Sequence, residues 1–343
     1  MMKKIALTLV SIIFLAGCQD SSNPEETEAI DTDVEESESV SSGAFPTRNI
    51  RFVVPYEAGG GSDVTARKLV EIISKQDLLP GADPIVVNLP GSNTRSGLGE
   101  VLNATPDGHT VLLHHSSLNS MNALDMIDIS HDDFQIVSQI AESPLLLVGS
   151  GDSDMKTFQE YVDAARENPR SVRVGLPGLG PVSHLAYEYF TRVVDINEEF
   201  AIVPYTGGAG ATTALMGGQV DMRMSATLDA VNYAESGDII PLVTTSYEKH
   251  PHPLLSDAAS MKDLGIDFDL NLMYGVYAPK GVPEDRLELL ASAIEEAVNS
   301  EEFADFGERM GMEPLYRDAE EYAEYHDRHQ AIFDDIASDV QTE

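Results

Sequence analysis

Short apolar runs alternate with amphipathic segments along most of the chain of 343 residues. The runs have the length of strands, and the segments between them repeat apolar residues at helical spacing. This alternation is typical of α/β folds, in which helices connect the strands of a sheet. The predicted strands are 50–55, 84–89, 110–114, 144–149, 172–175, 199–203, 222–225, 240–244 and 272–278. The predicted helices are 62–74, 157–168, 183–193, 210–216, 228–236, 284–300 and 319–339.

Two glycine-rich turns stand in matching contexts, each after an apolar run and before an amphipathic segment. They are PYEAGGGSD at 55–63 and PYTGGAG at 204–210. Glycine lets the backbone approach a ligand, and the free N–H groups of a following helix N-terminus attract an anion. One such turn can equally be a tight strand-to-helix connection without a ligand. Two of them predict a single anion held from two sides.

The length of the chain predicts two domains, because a single hydrophobic core rarely serves so many residues. Ligands of open α/β sheets bind beyond the carboxyl ends of the strands. Two similar lobes that present these ends to a shared crevice form a clamshell, and hinge closure is its natural motion.

The N-terminus has the pattern of a bacterial export signal. Lys3 and Lys4 precede an apolar run at 5–15, and Ala16 and Gly17 lead to Cys18. The run is too short to remain as a membrane span. The context of Cys18 resembles a lipobox, which implies a signal peptide at 1–17 and a lipidated Cys18 on an exported protein. The alternative is a different cleavage and an incidental cysteine.

The segment that follows, 18–44 including Cys18, is rich in Ser, Glu and Asp and poor in large apolar residues. Such a composition cannot bury enough surface to fold, so we predict a disordered acidic tether. The whole chain carries a formal net charge of −37, from 58 acidic and 21 basic residues. This charge disfavours nucleic acid as a partner. It indicates either a salt-adapted host or simply a very soluble protein.

Other candidate chemistry is weak. Ser183 and His184 are neighbours on a predicted helix and point about 100° apart, so they do not form a nucleophile–base pair. His326 and His329 lie on an acidic predicted helix, and we interpret them as part of a solvated face rather than a metal site. His114 and His115 end a strand, where alternation places one toward the crevice and the other toward the core. No catalytic residue, metal or cofactor is predicted.

Several segments of the chain resemble one protein family. The stretch from Phe45 to Ser74 resembles the opening of the solute receptors of tripartite tricarboxylate transporters, the Bug receptors. Further similar segments are VVNLPGS at 86–92, ATPDGHTVLLHHSS at 104–117, GLPGLGPVSHLA at 175–186, VPYTGGAGATTALMGGQVD at 203–221 and YGVYAPKGVP at 274–283.

The resemblance implies a non-enzymatic, membrane-anchored, extracytoplasmic receptor with a type II periplasmic-binding-protein fold, each lobe a mixed sheet flanked by helices. The first lobe would comprise 45–146 and 275–343, and the second 147–274. The receptor would be a monomer that delivers a small organic carboxylate to a membrane permease. An extracellular hydrolase of small anions is the alternative. The implied ligand contacts are Tyr56, Gly60, Gly61, Ser62, Asp63, Arg95, Ser116, Ser117, Gly178, Ser183, His184, Tyr205, Thr206, Gly207 and Gly208.

Two positions, Arg95 and Asp63, leave alternatives open, and the chain also departs from the family pattern elsewhere. Where the family usually has a glycine pair, this chain continues with Asn93, Thr94 and Arg95, and Arg95 either contacts a distal carboxylate or decorates a loop rim. Family members often carry an aspartate where this chain has Ser225 and Ala226. Asp63 is either a helix cap or a ligand contact that favours an amine or hydroxyl donor.

Overall fold

The structure is a computed structural model that describes residues 45–177, 182–205, 208–267 and 269–340. The predicted signal peptide, Cys18 and the acidic tether lie outside these ranges. So do three of the predicted ligand contacts, Gly178, Thr206 and Gly207. Within the described ranges, no helix combines the length and the apolarity needed to cross a bilayer.

The first sheet has six strands in the order β11-β4-β10-β3-β1-β2. β1, β2 and β3 are parallel to one another, whereas β10 runs antiparallel to both of its neighbours, β3 and β4. The strands are β1 (Arg51–Val54), β2 (Ile85–Asn88), β3 (Thr110–His115), β4 (Phe134–Ser143), β10 (Leu272–Pro279) and β11 (Glu313–Arg317).

The second sheet has five strands in the order β7-β6-β8-β5-β9. β6, β7 and β8 are parallel, and β5 runs antiparallel to β8 and β9. The strands are β5 (Leu145–Ser150), β6 (Arg173–Leu176), β7 (Ala201–Pro204), β8 (Met222–Ala226) and β9 (Ile239–Thr244). The predicted α/β class with two mixed sheets flanked by helices is therefore confirmed.

The helices cover both sheets. They are α1 (Gly61–Lys75), α2 (Arg95–Leu102), α3 (Ser117–Ala123), α4 (Phe158–Glu167), α5 (Val182–Val193), α6 (Gly208–Met216), α7 (Thr227–Glu235), α8 (Glu284–Val298), α9 (Glu301–Met310) and α10 (Ala319–Val340). The sequence patterns missed α2, α3, α9, β4 and β11. Two glycines weaken the helical signal of α2, and β4 (FQIVSQIAES) contains buried polar residues that hide its apolar alternation.

β1 is apolar from Phe52 to Val54 because its alternate side chains pack into two different hydrophobic clusters. Phe52 and Val54 belong to the same hydrophobic cluster as Leu69 of α1. Val53 belongs to a second cluster with Leu98 of α2. Because helices cover both faces of the sheet, both faces must be apolar, as is usual for parallel strands.

The chain passes between the two sheets at two adjacent points, which we call the seam (Ser143 to Leu145 and Thr245 to Leu272). At the first point β4 ends at Ser143 and β5 begins at Leu145. The backbone N–H of Leu145 donates to Thr245 Oγ1 over 2.8 Å, and the N–H of Thr245 donates to the Leu145 carbonyl over 2.9 Å. Asn271, just before β10, donates from Nδ2 to Glu142 over 3.3 Å. The two connections of the seam are thus joined to each other and to β4 by hydrogen bonds.

We predict that Gly275→Ala in β10 destabilises the fold. The ring of Tyr322 from α10 occupies the space that a Cβ at position 275 would need. Both groups are buried, so the free energy of unfolding should fall by about 1–3 kcal/mol. Urea unfolding followed by circular dichroism measures it.

Gly99→Ala in α2 is the matched control, because nothing lies within 4 Å of its added Cβ. Alanine in a helix should leave the stability unchanged or raise it by up to about 1 kcal/mol. Equal effects of the two substitutions would contradict the packing of α10 against β10.

Candidate ligand-binding site

A cavity of about 690 Å³ lies between the two sheets and is bordered by the seam residues Leu145 and Leu272. Its described lining is part apolar and part polar, as is usual for small-molecule sites. The residues are Pro55, Tyr56, Glu57, Pro90, Gly91, Asn93, Thr94, His115, Ser117, Met121, Met126, Leu145, Pro177, Val182, Ser183, Gly208, Arg223, Ala226, Asp229 and Leu272. Both glycine turns contribute, through Tyr56 and Glu57 on one side and Gly208 on the other.

The first glycine turn is braced by a buried carboxylate. Asp63 accepts from the backbone N–H of Gly59 over 2.8 Å and from Arg67 Nε over 3.0 Å. Burial acts to raise the pKa of Asp63, but the hydrogen bonds from Arg67 and Gly59 outweigh it and hold the pKa below its usual value. Asp63 therefore fixes the shape of the turn that carries Tyr56 and Glu57.

A polar side chain lies beside the helix start at each glycine turn, and Tyr274 of β10 is the one at the first turn. Its hydroxyl lies 3.4 Å from the position that a Cβ on Gly61 would take, at the start of α1. Burial and the Asp229 carboxylate raise the pKa of Tyr274 to about 12. On the other side, Asp229 Oδ2 lies 3.2 Å from where a Cβ on Gly208 would stand, at the start of α6. A Cβ at position 208 would crowd Asp229, whereas a Cβ at position 61 would meet the Tyr274 hydroxyl at an ordinary contact distance.

An uncharged aromatic wall forms the first-sheet side of the cavity. Tyr56 stacks on His115 with ring centroids 4.8 Å apart, and its hydroxyl lies 3.4 Å from His114 Nε2. As strand alternation predicts, His115 lines the cavity and His114 is fully buried. Burial lowers the pKa of His114 to about 4, and burial together with His114 lowers that of His115 well below its usual value. Both rings are neutral near pH 7.

The loop before α2 reaches the cavity in a left-handed conformation. Ser92, Asn93 and Thr94 have φ values of 51°, 52° and 69°, which non-glycine residues rarely adopt. Arg95 then begins α2, and its Nε lies 3.6 Å from Asp128 Oδ1. Residues with side chains thus occupy backbone geometry that suits glycine, and Asn93 and Thr94 present polar groups at the cavity.

The structure brings one cation to the cavity that sequence reasoning missed. Arg223, the second residue of β8, is fully buried. It donates from Nη2 to Ser225 Oγ over 2.9 Å and from Nη1 to the Met224 carbonyl over 3.3 Å. Asp229 Oδ2 lies 3.9 Å from Nη2, and among the described residues Arg223 Nε–H has no acceptor. An arginine between two apolar residues of a strand, as in MRM, is the sequence signal that could have found it.

Burial lowers the pKa of the Arg223 guanidinium, and the Asp229 carboxylate and Tyr233 oppose that effect. The group stays protonated because the guanidinium loses its proton only far above neutral pH. A buried cation with an unused donor is costly unless a partner satisfies it.

The predicted contacts fall into two described groups. Those that line the cavity are Tyr56, Ser117, Ser183 and Gly208. The remaining described ones are Gly60 and Gly61 at the start of α1, Ser62 and Asp63 in its first turn, Arg95, Ser116, His184 and Tyr205. Ser116 is buried at the start of α3 and hydrogen-bonds the β10 segment, and His184 Nε2 lies 3.6 Å from Glu188.

The interpretation of His326 and His329 as a solvated face is wrong, because both are buried where α10 packs on the first sheet. His326 stacks on His131 with centroids 4.6 Å apart, and its Nε2 hydrogen-bonds the Tyr277 hydroxyl over 2.7 Å. Among the described residues, no group of three or more His, Cys, Asp or Glu side chains is arranged to hold a metal.

Comparisons with known proteins agree on one family. The family model described as "Tripartite tricarboxylate transporter family receptor" matches residues 65–337. A UPF0065 protein of Pseudomonas sp. (strain P51) is 30% identical over 279 residues, which cover 78% of this chain and 79% of that protein. A TctC solute-binding protein from Polaromonas, solved without ligand, is 26% identical with a TM-score of 0.70, covering 86% of this chain and 99% of its own. An R. palustris protein solved with adipate is 24% identical with a TM-score of 0.76, covering 86% and 97%.

We predict that His114→Asn weakens the acid sensitivity of the fold. The pKa of His114 is about 4 in the folded state, against an ordinary value of 6.5. Between these values the unfolded chain binds more protons, so stability is lost as the pH falls from about 6.5 toward 4. Without this histidine, the dependence of the unfolding free energy on pH should become shallower by up to about 1.4 kcal/mol per pH unit.

Urea unfolding at intervals between pH 4.5 and 7.5 measures the slope. Tyr56→Phe is the control, because it keeps the buried histidine and removes only the hydroxyl near it. Equal slopes for the parent protein and His114→Asn would contradict the neutral, buried state of this ring.

Proposed function

We propose, on the premise that this chain belongs to the tripartite tricarboxylate transporter receptor family, that it is a lipid-anchored extracytoplasmic receptor for a small organic carboxylate. The ligand binds in the cavity between the sheets, and the loaded receptor passes it to a tripartite tricarboxylate-type membrane permease. No covalent step takes place. The class of ligand is drawn from the family description and from the neighbour solved with adipate.

One observation carries the proposal: both glycine turns contribute to the same cavity. Tyr56 and Glu57 come from the first turn, and Gly208 begins the helix after the second. Ser183, in the first turn of α5, adds a hydroxyl beside a third helix start. Helix N-termini supply N–H groups and positive potential, which suit a carboxylate. We include the other predicted contacts in this proposed site: Gly60, Gly61, Ser62, Asp63, Arg95, Ser116, Gly178, His184, Tyr205, Thr206 and Gly207.

The proposed motion is closure about the seam, with lobes of 45–146 plus 275–343 and of 147–274. A ligand favours closure only if it binds the closed state more tightly than the open one, so it must touch both sides. Lining residues from both sheets meet that requirement, with Ser117 and His115 on one side and Ser183 and Arg223 on the other. We propose that the receptor acts as a monomer.

We expect a matching carboxylate to stabilise the protein without being consumed. Thermal unfolding against a panel of mono-, di- and tricarboxylates measures the effect. A ligand at about 100 times its dissociation constant should add roughly 2.7 kcal/mol to the unfolding free energy. Chromatography of the mixture should return the acid unchanged, and hydrolysis or another conversion would contradict the receptor and favour the hydrolase alternative.

The same titration on Ser183→Ala locates the binding. Loss of one hydrogen bond should weaken affinity by about threefold to tenfold. Ser236→Ala is the control, because Ser236 is exposed beyond the end of α7 and should leave affinity unchanged. Equal affinity in all three proteins would place the ligand elsewhere.

The anchor is tested separately through Cys18, the single cysteine of the chain. In a bacterial host, the parent chain should incorporate labelled palmitate and sediment with membranes. Cys18→Ser should lose the label and move to the soluble or secreted fraction. A Cys18→Ser protein that still sediments with membranes would contradict lipid anchoring at this residue.

A further inference from the structure

Arg223 and Asp229 form a charge pair at the wall of the cavity. The two side chains of this pair are not in close contact. The guanidinium is fully buried, whereas the Asp229 side chain is 43% exposed. Their nearest atoms, Nη2 and Oδ2, are 3.9 Å apart, which is beyond hydrogen-bond length. Arg223 Nε–H has no acceptor among the described residues. Each member of the pair therefore retains hydrogen-bonding capacity.

The position of the pair ties it to the ligand. Both residues line the cavity. Asp229 lies close to Gly208 at the start of α6, and its carboxylate helps to raise the pKa of Tyr274 in the first sheet. A ligand that reaches the pair therefore lies beside the second glycine turn. Ser225 Oγ accepts a hydrogen bond from Arg223 Nη2 and helps to fix the direction of the guanidinium.

The charges of the lining decide the class of ligand. Its described part contains one cation, Arg223, and two carboxylates, Glu57 and Asp229. The neighbouring histidines are neutral near pH 7, because burial lowers their pKa values. A dianion would satisfy Arg223 with one carboxylate and meet repulsion from Asp229, and both effects are strong where water is excluded.

Resting on the proposed function, we infer that the ligand is an amino acid, whose carboxylate binds Arg223 and whose ammonium group binds Asp229. In an α-amino acid a single carbon separates the carboxylate from the ammonium group. The two groups can therefore bind Arg223 and Asp229 at the same time. The guanidinium offers its unused donor to the carboxylate, and Asp229 accepts from the ammonium. The apolar lining residues, such as Met121 and Met126, remain available to the rest of the ligand.

Calorimetric titration of the unaltered protein tests this directly. The probes are the twenty L-amino acids, the corresponding acids that lack the amino group, and adipate and malate as dicarboxylates. At least one amino acid should bind at least about tenfold more tightly than its deaminated analogue, because a charge-assisted pair is worth that much. A deaminated acid or a dicarboxylate that binds more tightly than every amino acid would overturn the inference.

Two substitutions separate the roles of the pair. Asp229→Asn should weaken the binding of the amino acid by about tenfold. The affinity for its deaminated analogue should stay unchanged or rise slightly. Arg223→Met should weaken the binding of both ligands by at least about 30-fold, because the carboxylate of each ligand needs the cation. Arg223→Lys keeps the charge and should recover part of the loss. Arg173→Met, which removes the Asp221-paired arginine of β6 in the same sheet, is the control and should leave affinity unchanged.

The outcomes distinguish this inference from the proposed function. If dicarboxylates bind, and the Asp229→Asn protein binds them more tightly than the parent protein does, the proposed receptor function stands and the amino-acid ligand is refuted. If neither amino acids nor carboxylates bind, both proposals fail. The comparison of ligands on the unaltered protein decides the question even if Arg223→Met does not fold.

Discussion

The seam is the constraint on which the rest of the structure depends. The chain crosses between the sheets twice at nearly the same place, and reciprocal hydrogen bonds between Leu145 and Thr245 hold the crossings together. Glu142 joins them to the first sheet, since it accepts from Asn271 and from Arg317. Because Leu145 and Leu272 also border the cavity, the same few residues connect the sheets and shape the base of the site.

The described lining of the cavity contains no cluster of basic side chains. The starts of α5 and α6 line it, and Gly208 at the start of α6 leaves room for the close approach of Asp229. Histidines on the first-sheet wall are neutral because burial disfavours their charged form. Arg223 is thus the single cation among the described lining residues, which gives one side chain unusual weight in a protein of net charge −37.

A buried guanidinium must be compensated, because a charge removed from water without partners is strongly destabilising. Ser225, the Met224 carbonyl and the more distant Asp229 supply only part of that compensation. The strained backbone of Asn93 and Thr94 lies at the same cavity. Unfavourable features that collect at one place are common at binding sites, where the rest of the fold must maintain them.

The sequence by itself determined the α/β class and the approximate position of most strands, because apolar runs in covered sheets are local signals. The family resemblance also implied Tyr56, Ser183 and Gly208 as ligand contacts, and these three residues line the cavity. Only the tertiary structure decided which groups meet across long stretches of chain. In the sequence Arg223 is an isolated charge, and only packing buries it beside Asp229. The sequence around His326 predicts a solvated side chain, but the packing of α10 on the first sheet buries it. Burial and charge pairing are properties of the assembled fold, which no local pattern contains.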